Sequence, residues 1–382
     1  MSTDLITEAD TSTDHGSAGT GDRTDAERAE ELALRLLDQF SGAVELFTVE
    51  LGRRLGLYPV LAGSGAVTAV ELAAAASIAP RYALEWLDQQ AAAGIVDVVG
   101  HDLSGARLFA LPAGHQAVLL DPGSPAYLVG AAPLARAVAA SLPAVADAFA
   151  TGTGVEYADF GHELRFGIAE LNRPGFALGI SDWVAQLPDV AARLESGGVI
   201  LDAGCGEGWS SIGLARAFPN ARVVAVDLDV DSVRAARDHV ARAGLEGRVS
   251  VWRANAAEPD LLHELTEEPV TLVTVFQALH DMGEPVRALA GFRALLAAGG
   301  AVLVADEHGE DSKAAPADEN ERRQLAMSVL HCLPATWAES DSVVNGTVLR
   351  GHTMTSWAES AGFGRPEVLP VEHPFWRFYR LG

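Results

Sequence analysis

Three glycines at alternate positions, Gly204, Gly206 and Gly208, follow the apolar run Val199-Ile-Leu201 and an acid, Asp202. A short apolar run bounded in this way reads as a strand buried on both faces, and the glycines let the next turn lie against a ligand. Ser210 and Ser211 stand where helix caps belong, ahead of Ile212, Leu214, Ala215 and Phe218 at helical spacing. The turn is therefore expected to offer free backbone N–H groups at a helix N-terminus. A second apolar run, Arg222–Asp227, ends in an acid followed by Leu228. An acid about twenty positions beyond such glycines is where a nucleotide-binding α/β unit accepts from a ribose diol, so the ligand contains a ribose. A further run, Val270–Phe276, leads into Gln277-Ala-Leu-His280-Asp281. A histidine at the carboxyl edge of an open sheet, with an ordinary pKa near neutrality, is suited to general-base work; it can also cap the strand or touch a cofactor.

The glycines do not follow the G-x-G-x-x-G dinucleotide spacing. With Asp202 in front they form D-x-G-x-G-x-G, which resembles motif I of the class I S-adenosylmethionine-dependent methyltransferases. The resemblance implies that the Gly204–Gly208 turn and Asp202 hold the methionine end of S-adenosyl-L-methionine, and that Asp227 and Leu228 hold its ribose. It further implies that Asn255-Ala256, in the place of the family's acid and small residue after the third strand, meets the adenine, with Gln277 on the cofactor side of the fourth. His280-Asp281 is similar to the His-Asp pair of plant-type and bacterial small-molecule O-methyltransferases, in which the histidine is the general base. The family's following tryptophan and acidic run are replaced here by Met282-Gly-Glu-Pro285. In this architecture the helix ending at His331 and Cys332 lies above the active site, making His331 a second base candidate and Cys332 a packing residue. Asp306-Glu-His308 is not assigned as a metal site, because adjacent strand residues point to opposite faces, and no metal ligand is assigned elsewhere.

Strands alternating with helices position these residues: Arg248–Ala254, Val270–Phe276 and Ala301–Ala305 follow the first two strands, with helices over 230–243, 286–296, 320–331 and 354–361. This predicts an α/β, Rossmann-like, doubly wound, mostly parallel seven-stranded sheet. Only Glu372-His-Pro374 separates the last two strand candidates, too short for a crossover, so the final strand is antiparallel. Ahead of the sheet, an apolar stripe from Leu32 to Leu55 predicts one or two amphipathic helices. A helix capped by Thr68, a helix over 80–94 and short strands at 95–99 and 107–111 complete a winged-helix arrangement. The boundaries expected are a disordered tail over 1–25, a winged-helix dimerisation domain over 26–120, a helical connector and lid over 121–185, and the cofactor domain over 186–382. Tyr157, Phe160, Phe166, Phe176 and Trp183 in the third segment either roof the substrate or pack as core.

A formal charge of −25 argues against a nucleic-acid surface, and the second winged-helix helix carries Arg81 beside Glu85 and Asp88. Two cysteines make no disulfide framework and fit a reducing cytoplasm. The N-terminus has no signal-peptide pattern, and no uninterrupted apolar run reaches membrane-spanning length. The reading is a methyltransferase acting on a small molecule, oxygen first and nitrogen or carbon next, releasing S-adenosyl-L-homocysteine and working as a homodimer without nucleic-acid or membrane partners. Two alternatives stay open: a cyclisation or pericyclic reaction on the same fold, and a winged-helix regulator that senses S-adenosylmethionine.

Overall fold

The computed structural model describes residues 23–309, 315–340, 345–346 and 348–382, so most of the expected tail lies outside the described residues. The described residues fall into two units divided between Glu45 and Leu46, inside the helix Asp25–Arg54. That helix starts at a reciprocal cap, in which the Glu27 N–H donates to Thr24 Oγ1 and the Thr24 N–H donates to the Glu27 carboxylate. Its apolar stripe lies on the surface: Leu36 and Phe40 are 54% and 63% exposed.

Within the second unit, helices Leu57–Ser64, Ala69–Ala76 and Pro80–Ala92 precede a two-stranded antiparallel wing, β1 (Asp97–His101) and β2 (Arg107–Ala110). Leu57, Tyr58, Leu72, Trp86, Leu87 and Phe109 form its core. Thr68 caps the Ala69–Ala76 helix with Glu71 reciprocating. The first wing strand starts two residues later than the apolar pattern predicts. Ile95 and Val96 spend their N–H groups on the Gln90 carbonyl, closing the preceding helix, and are not available to a ladder.

Two long helices follow, Ala131–Thr151 and His162–Ala185. By length and composition alone, Ala131–Thr151 is the one described helix able to cross a membrane. Its Ala137, Val145 and Ala148 are nonetheless buried with Phe160, Leu164 and Ala335. Among the expected roof aromatics, Phe160, Phe176 and Trp183 are core.

The sheet comprises β3 (Gly198–Ala203), β4 (Ala221–Asp227), β5 (Val249–Arg253), β6 (Val270–Phe276), β7 (Leu296–Glu307), β8 (Glu367–Val368) and β9 (Trp376–Leu381). Its order is β5-β4-β3-β6-β7-β9-β8; β9 runs antiparallel to both its neighbours, and the remaining pairings are parallel. Every residue of β6 is buried, as a central strand covered on both faces requires. Hydrophobic clusters fill both faces. The order reverses between β3 and β6, and in open parallel sheets the ligand crevice opens at the carboxyl ends beside such a reversal. Short helices that the sequence pattern does not signal, Pro188–Ser196 and Pro259–Thr266, each start on a proline at the first turn. The helix expected over 320–331 is interrupted. It runs from Glu319 to Met327, widens into a π turn over Ser328–Cys332, and resumes over Leu333–Glu339.

Candidate active site

A cavity of about 970 Å³ opens at the carboxyl ends of β3, β4, β5, β6 and β7. Gly204, Gly206, Asp227, Leu228, Asn255, Ala256, Gln277, His280 and His331 all line it, so residues spread over more than a hundred positions converge on one volume. Asp202 and Gly208 do not form its wall.

The glycine turn works differently from the expectation. The Gly204 and Cys205 N–H groups both donate to the Val226 carbonyl, at 2.9 and 3.1 Å, and the Gly206 N–H donates to Asp227 Oδ2 at 2.8 Å. The Gly208 N–H donates to the Cys205 carbonyl at 2.9 Å. These amides are spent on the turn itself, and what the turn presents to the cavity is bare backbone. A Cβ on Gly204, at φ 73°, would lie 2.5 Å from Ala278 Cβ, whereas one on Gly206 would meet nothing within 4 Å. Gly204 thus lets the turn approach the end of β6, and Gly206 keeps the cavity clear.

Ser210 and Ser211 are not caps. Gly208, at φ 83°, holds the N-cap position, and both serine hydroxyls donate to Asp202 Oδ2 at 2.6 Å. Thr274 Oγ1 donates to Asp202 Oδ1 at 2.8 Å, so this carboxylate is buried beneath the turn as its anchor rather than facing a ligand amine. Burial raises its pKa against these three donors. Gly208 belongs to the same scaffold: a Cβ there would stand 3.0 Å from Ala236 Cβ on the helix Val230–Arg242.

Asp227 stands at the cavity wall with its carboxylate accepting from the Gly206 and Asp229 N–H groups. Burial outweighs those bonds and pushes its pKa up to about 6. Asn255 Oδ1 accepts from the Ala257 N–H at 2.8 Å, folding the side chain over its own turn, so one of the two lone pairs expected to face an adenine amine is committed. Gln277 adopts a left-handed φ of 51°. Its Oε1 accepts from Asn172 and its Nε2 donates to Glu307, each at 2.5 Å, while Gln324 donates to the other Glu307 oxygen at 2.7 Å. A non-glycine residue in this region costs on the order of 1 kcal/mol, held here by a network joining the helix His162–Ala185, the end of β6, β7 and the helix Glu319–Met327. Glu307, pushed up to about 7 by burial, is the network's centre.

His280 is 2% exposed. Its Nδ1 lies 2.5 Å from Asp306 Oδ1, and its Nε2 lies 3.2 Å from Asp281 Oδ1, a contact whose alignment is not that of a hydrogen bond. Burial pulls the imidazole pKa down, but the Asp281 and Asp306 carboxylates outweigh it and hold it well above the usual histidine range. His331 is equally buried, edge-on to Phe160 and Tyr157, and its Nε2 has no hydrogen-bond partner among the described residues. Burial pushes its pKa down.

Two charged groups at the cavity wall have no role assigned by the sequence motifs. Arg165 is 7% exposed, pairs with Asp229 and Asp231, and keeps Nη1 buried at the cavity wall with no partner among the described residues. A guanidinium on the same buried helical face as Leu164 and Ile168 is the signal that marks it. Glu307, the second, sits at the end of β7, where the position alone points to the ligand edge.

Residues 194–362 match the methyltransferase domain family, and residues 42–121 match the Rv2258c-like winged helix-turn-helix domain family. An uncharacterised protein of Synechococcus is 30% identical over 103 residues, and trans-aconitate 2-methyltransferase of Afipia carboxidovorans is 38% identical over 72. The aligned parts span 23% and 26% of those relatives. The fold is similar to that of the mitomycin 7-O-methyltransferase MmcR (TM-score 0.62, 22% identity, 93% of this chain and 98% of that one). An O-methyltransferase family protein of Burkholderia thailandensis superposes with a TM-score of 0.66 at 17% identity, over 91% of this chain and 96% of the other. Human N-acetylserotonin methyltransferase, solved with S-adenosylmethionine, gives 0.60 at 16%, over 95% and 99%. Residues 194–362 are thus a methyltransferase domain, preceded at residues 42–121 by a winged helix-turn-helix domain.

Proposed function

We propose that this enzyme transfers the methyl group of S-adenosylmethionine to an oxygen of a small, mostly apolar acceptor. One observation carries the reading: the bare glycine turn, the Asp227 carboxylate and the buried His280 line a single cavity. The residues fit the cofactor. Gly206 leaves room for its methionine portion, Asp227 accepts from its ribose hydroxyls, and Asn255 with Ala256 borders its adenine. The unused Nη1 of Arg165 supplies a charged donor for an oxygen of the bound ligand. Bound there, S-adenosylmethionine supplies an electrophilic methyl group on a sulfonium.

The protein's part is to hold the acceptor and take its proton. Leu128, Leu134, Val138, Ile168 and Met327 make the remaining wall apolar, which selects a hydrophobic acceptor. In its neutral form His280 takes the hydroxyl proton at Nε2, and Asp306 fixes the ring through Nδ1. The carboxylates of Asp281 and Asp306 stabilise the imidazolium that proton transfer creates. His331, with Nε2 unused, is the second polar contact for the acceptor. Cys205 and Cys332 carry no disulfide, in keeping with a reducing cytoplasm. The boundaries 26–120, 121–185 and 186–382 serve here as dimerisation, roof and catalytic segments, and the exposed apolar stripe of the N-terminal helix supports a homodimer.

The test is calorimetric titration with S-adenosylmethionine and S-adenosylhomocysteine, followed by a screen of phenols for methylated product formed in step with S-adenosylhomocysteine. Micromolar binding, about −8 kcal/mol, that is lost in Asp227→Ala supports the assignment. Binding without methylated product over a broad panel points instead to a non-methylating reaction. Salt-dependent DNA binding would favour a regulator, but Arg81 is paired with Glu85 on the helix that would enter the groove.

A further inference from the structure

We infer that the floor of this cavity is a binding site for a single divalent metal ion of the zinc class, held by His280 Nε2, Asp281 Oδ1 and Cys332 Sγ. Ligand atoms of these three residues lie within 4.8 Å of one another. The ligands of a tetrahedral zinc stand roughly 3.5 Å apart, so small side-chain rotations close the set. His280 Nε2 and Asp281 Oδ1 are already 3.2 Å apart.

Two further observations point to a ligand there. Asp281 Oδ1 is buried with no well-aligned hydrogen bond among the described residues, His280 Nε2 standing 3.2 Å away, and a cation between the two atoms would satisfy both. His280 also has the support that a metal-ligating histidine has: its other nitrogen, Nδ1, faces the buried Asp306 carboxylate at 2.5 Å, which fixes the ring and raises its basicity. The third ligand, a thiol, narrows the choice. With imidazole, carboxylate and thiolate together the set suits zinc or cobalt(II) and not magnesium or calcium. Cys332 reaches the site because the π turn Ser328–Cys332 shifts the helix register there; such turns recur at functional sites.

Three protein ligands leave a fourth position open to water or to an oxygen of the acceptor, the layout of a reactive rather than a structural zinc. On binding, the ion displaces both the Cys332 thiol proton and the proton on His280 Nε2, so its affinity rises with pH. The inference does not depend on methyl transfer, but it bears on it. While a metal occupies Nε2, His280 cannot accept a proton, so metal loading and the general-base step exclude one another.

The experiment uses the full chain, stripped with chelator and titrated with Zn²⁺ by equilibrium dialysis and with Co²⁺ by absorption, with no acceptor present. The expected result is about one equivalent bound and a thiolate-to-cobalt charge-transfer band. Cys332→Ala abolishes the band and weakens Zn²⁺ binding at least tenfold, and Asp306→Asn weakens it by roughly 10–100-fold, as loss of a supporting carboxylate does elsewhere. Cys205→Ala keeps the band. Circular dichroism and S-adenosylhomocysteine binding serve as controls for folding, and should Cys332→Ala fail them, Asp281→Asn takes its place with the same expected loss of affinity. No charge-transfer band in the unaltered protein overturns the inference. So does a band that survives Cys332→Ala and vanishes in Cys205→Ala. Failure of cofactor binding alone would instead count against the methyltransferase reading.

Discussion

The role proposed for Asp227 sets ligand binding against the stability of the fold. Burial lifts its pKa from an ordinary 3.8 to about 6. Between those values the folded chain binds the proton more tightly than the unfolded one, so stability falls as the pH rises through that window and stays lower above it. The charge that destabilises the unliganded protein is the acceptor that the proposed ribose contact requires. Asp227→Asn is therefore expected to bind S-adenosylhomocysteine at least tenfold more weakly while raising the stability of the unliganded protein by on the order of 1–3 kcal/mol at neutral pH. Calorimetry and urea unfolding of the same samples check both halves, and a variant that loses both affinity and stability would contradict the argument. In the unaltered protein, affinity for S-adenosylhomocysteine should hold above pH about 6 and fall by up to tenfold per unit below it, as the carboxylate is protonated. At the other end of the cavity, His280→Ala is expected to reduce kcat by about 10²–10⁴-fold with cofactor affinity nearly unchanged, the loss appropriate to a general base. Equal losses in kcat and cofactor affinity would make His280 a binding residue instead.

At the scale of elements, the turn after β3 separates two uses of glycine. Gly204→Ala drives a methyl group against Ala278 in a left-handed conformation, and is expected to destabilise the fold by about 2–4 kcal/mol. Gly206→Ala meets no neighbour; it should cost only about 1 kcal/mol of stability but place its methyl group at the cavity, weakening S-adenosylhomocysteine. Thermal unfolding beside titration distinguishes the pair. This division also marks what the sequence could disclose. The strand, the turn, the place of Asp227 at the end of β4 and the antiparallel final strand were readable because each depends on a few neighbouring residues: apolar runs, glycine spacing, a connection too short for a crossover. The Thr68 cap was readable for the same reason, since Glu71 is three positions away. The role of Asp202 was not. Its partners Ser210 and Ser211 sit nearby in sequence and look like caps, but the third, Thr274, is 72 positions away, and only the parallel pairing of β3 with β6 reveals the anchor. Arg165 and Glu307 escaped for a related reason, because their contacts with Asp231 and Gln277 span 66 and 30 positions.

At the scale of the whole molecule, the N-terminal helix poses a problem of apolar surface. Leu32, Leu36, Leu37, Phe40 and Val44 are each at least 40% exposed along one helix. Exposed apolar rows of this length are costly in water and favour association, and the commonest association of identical chains is a two-fold pair in which the same surface meets itself. The molecule's formal charge of −25 opposes approach of two copies, so a dimer formed through this helix should tighten as salt screens that repulsion. Sedimentation at increasing protein and salt concentration is expected to show a dimer whose dissociation constant falls with added salt. Replacing Leu36 and Phe40 by glutamate places like charges opposite their own copies and removes the apolar contact, so the double variant should sediment as a monomer at every concentration. Its affinity for S-adenosylhomocysteine should be retained, because the cavity at the ends of β3 to β7 is lined entirely by residues after Tyr127. A variant that remains dimeric would move the interface away from this helix, and one that loses cofactor binding along with association would mean that the second copy supports the site.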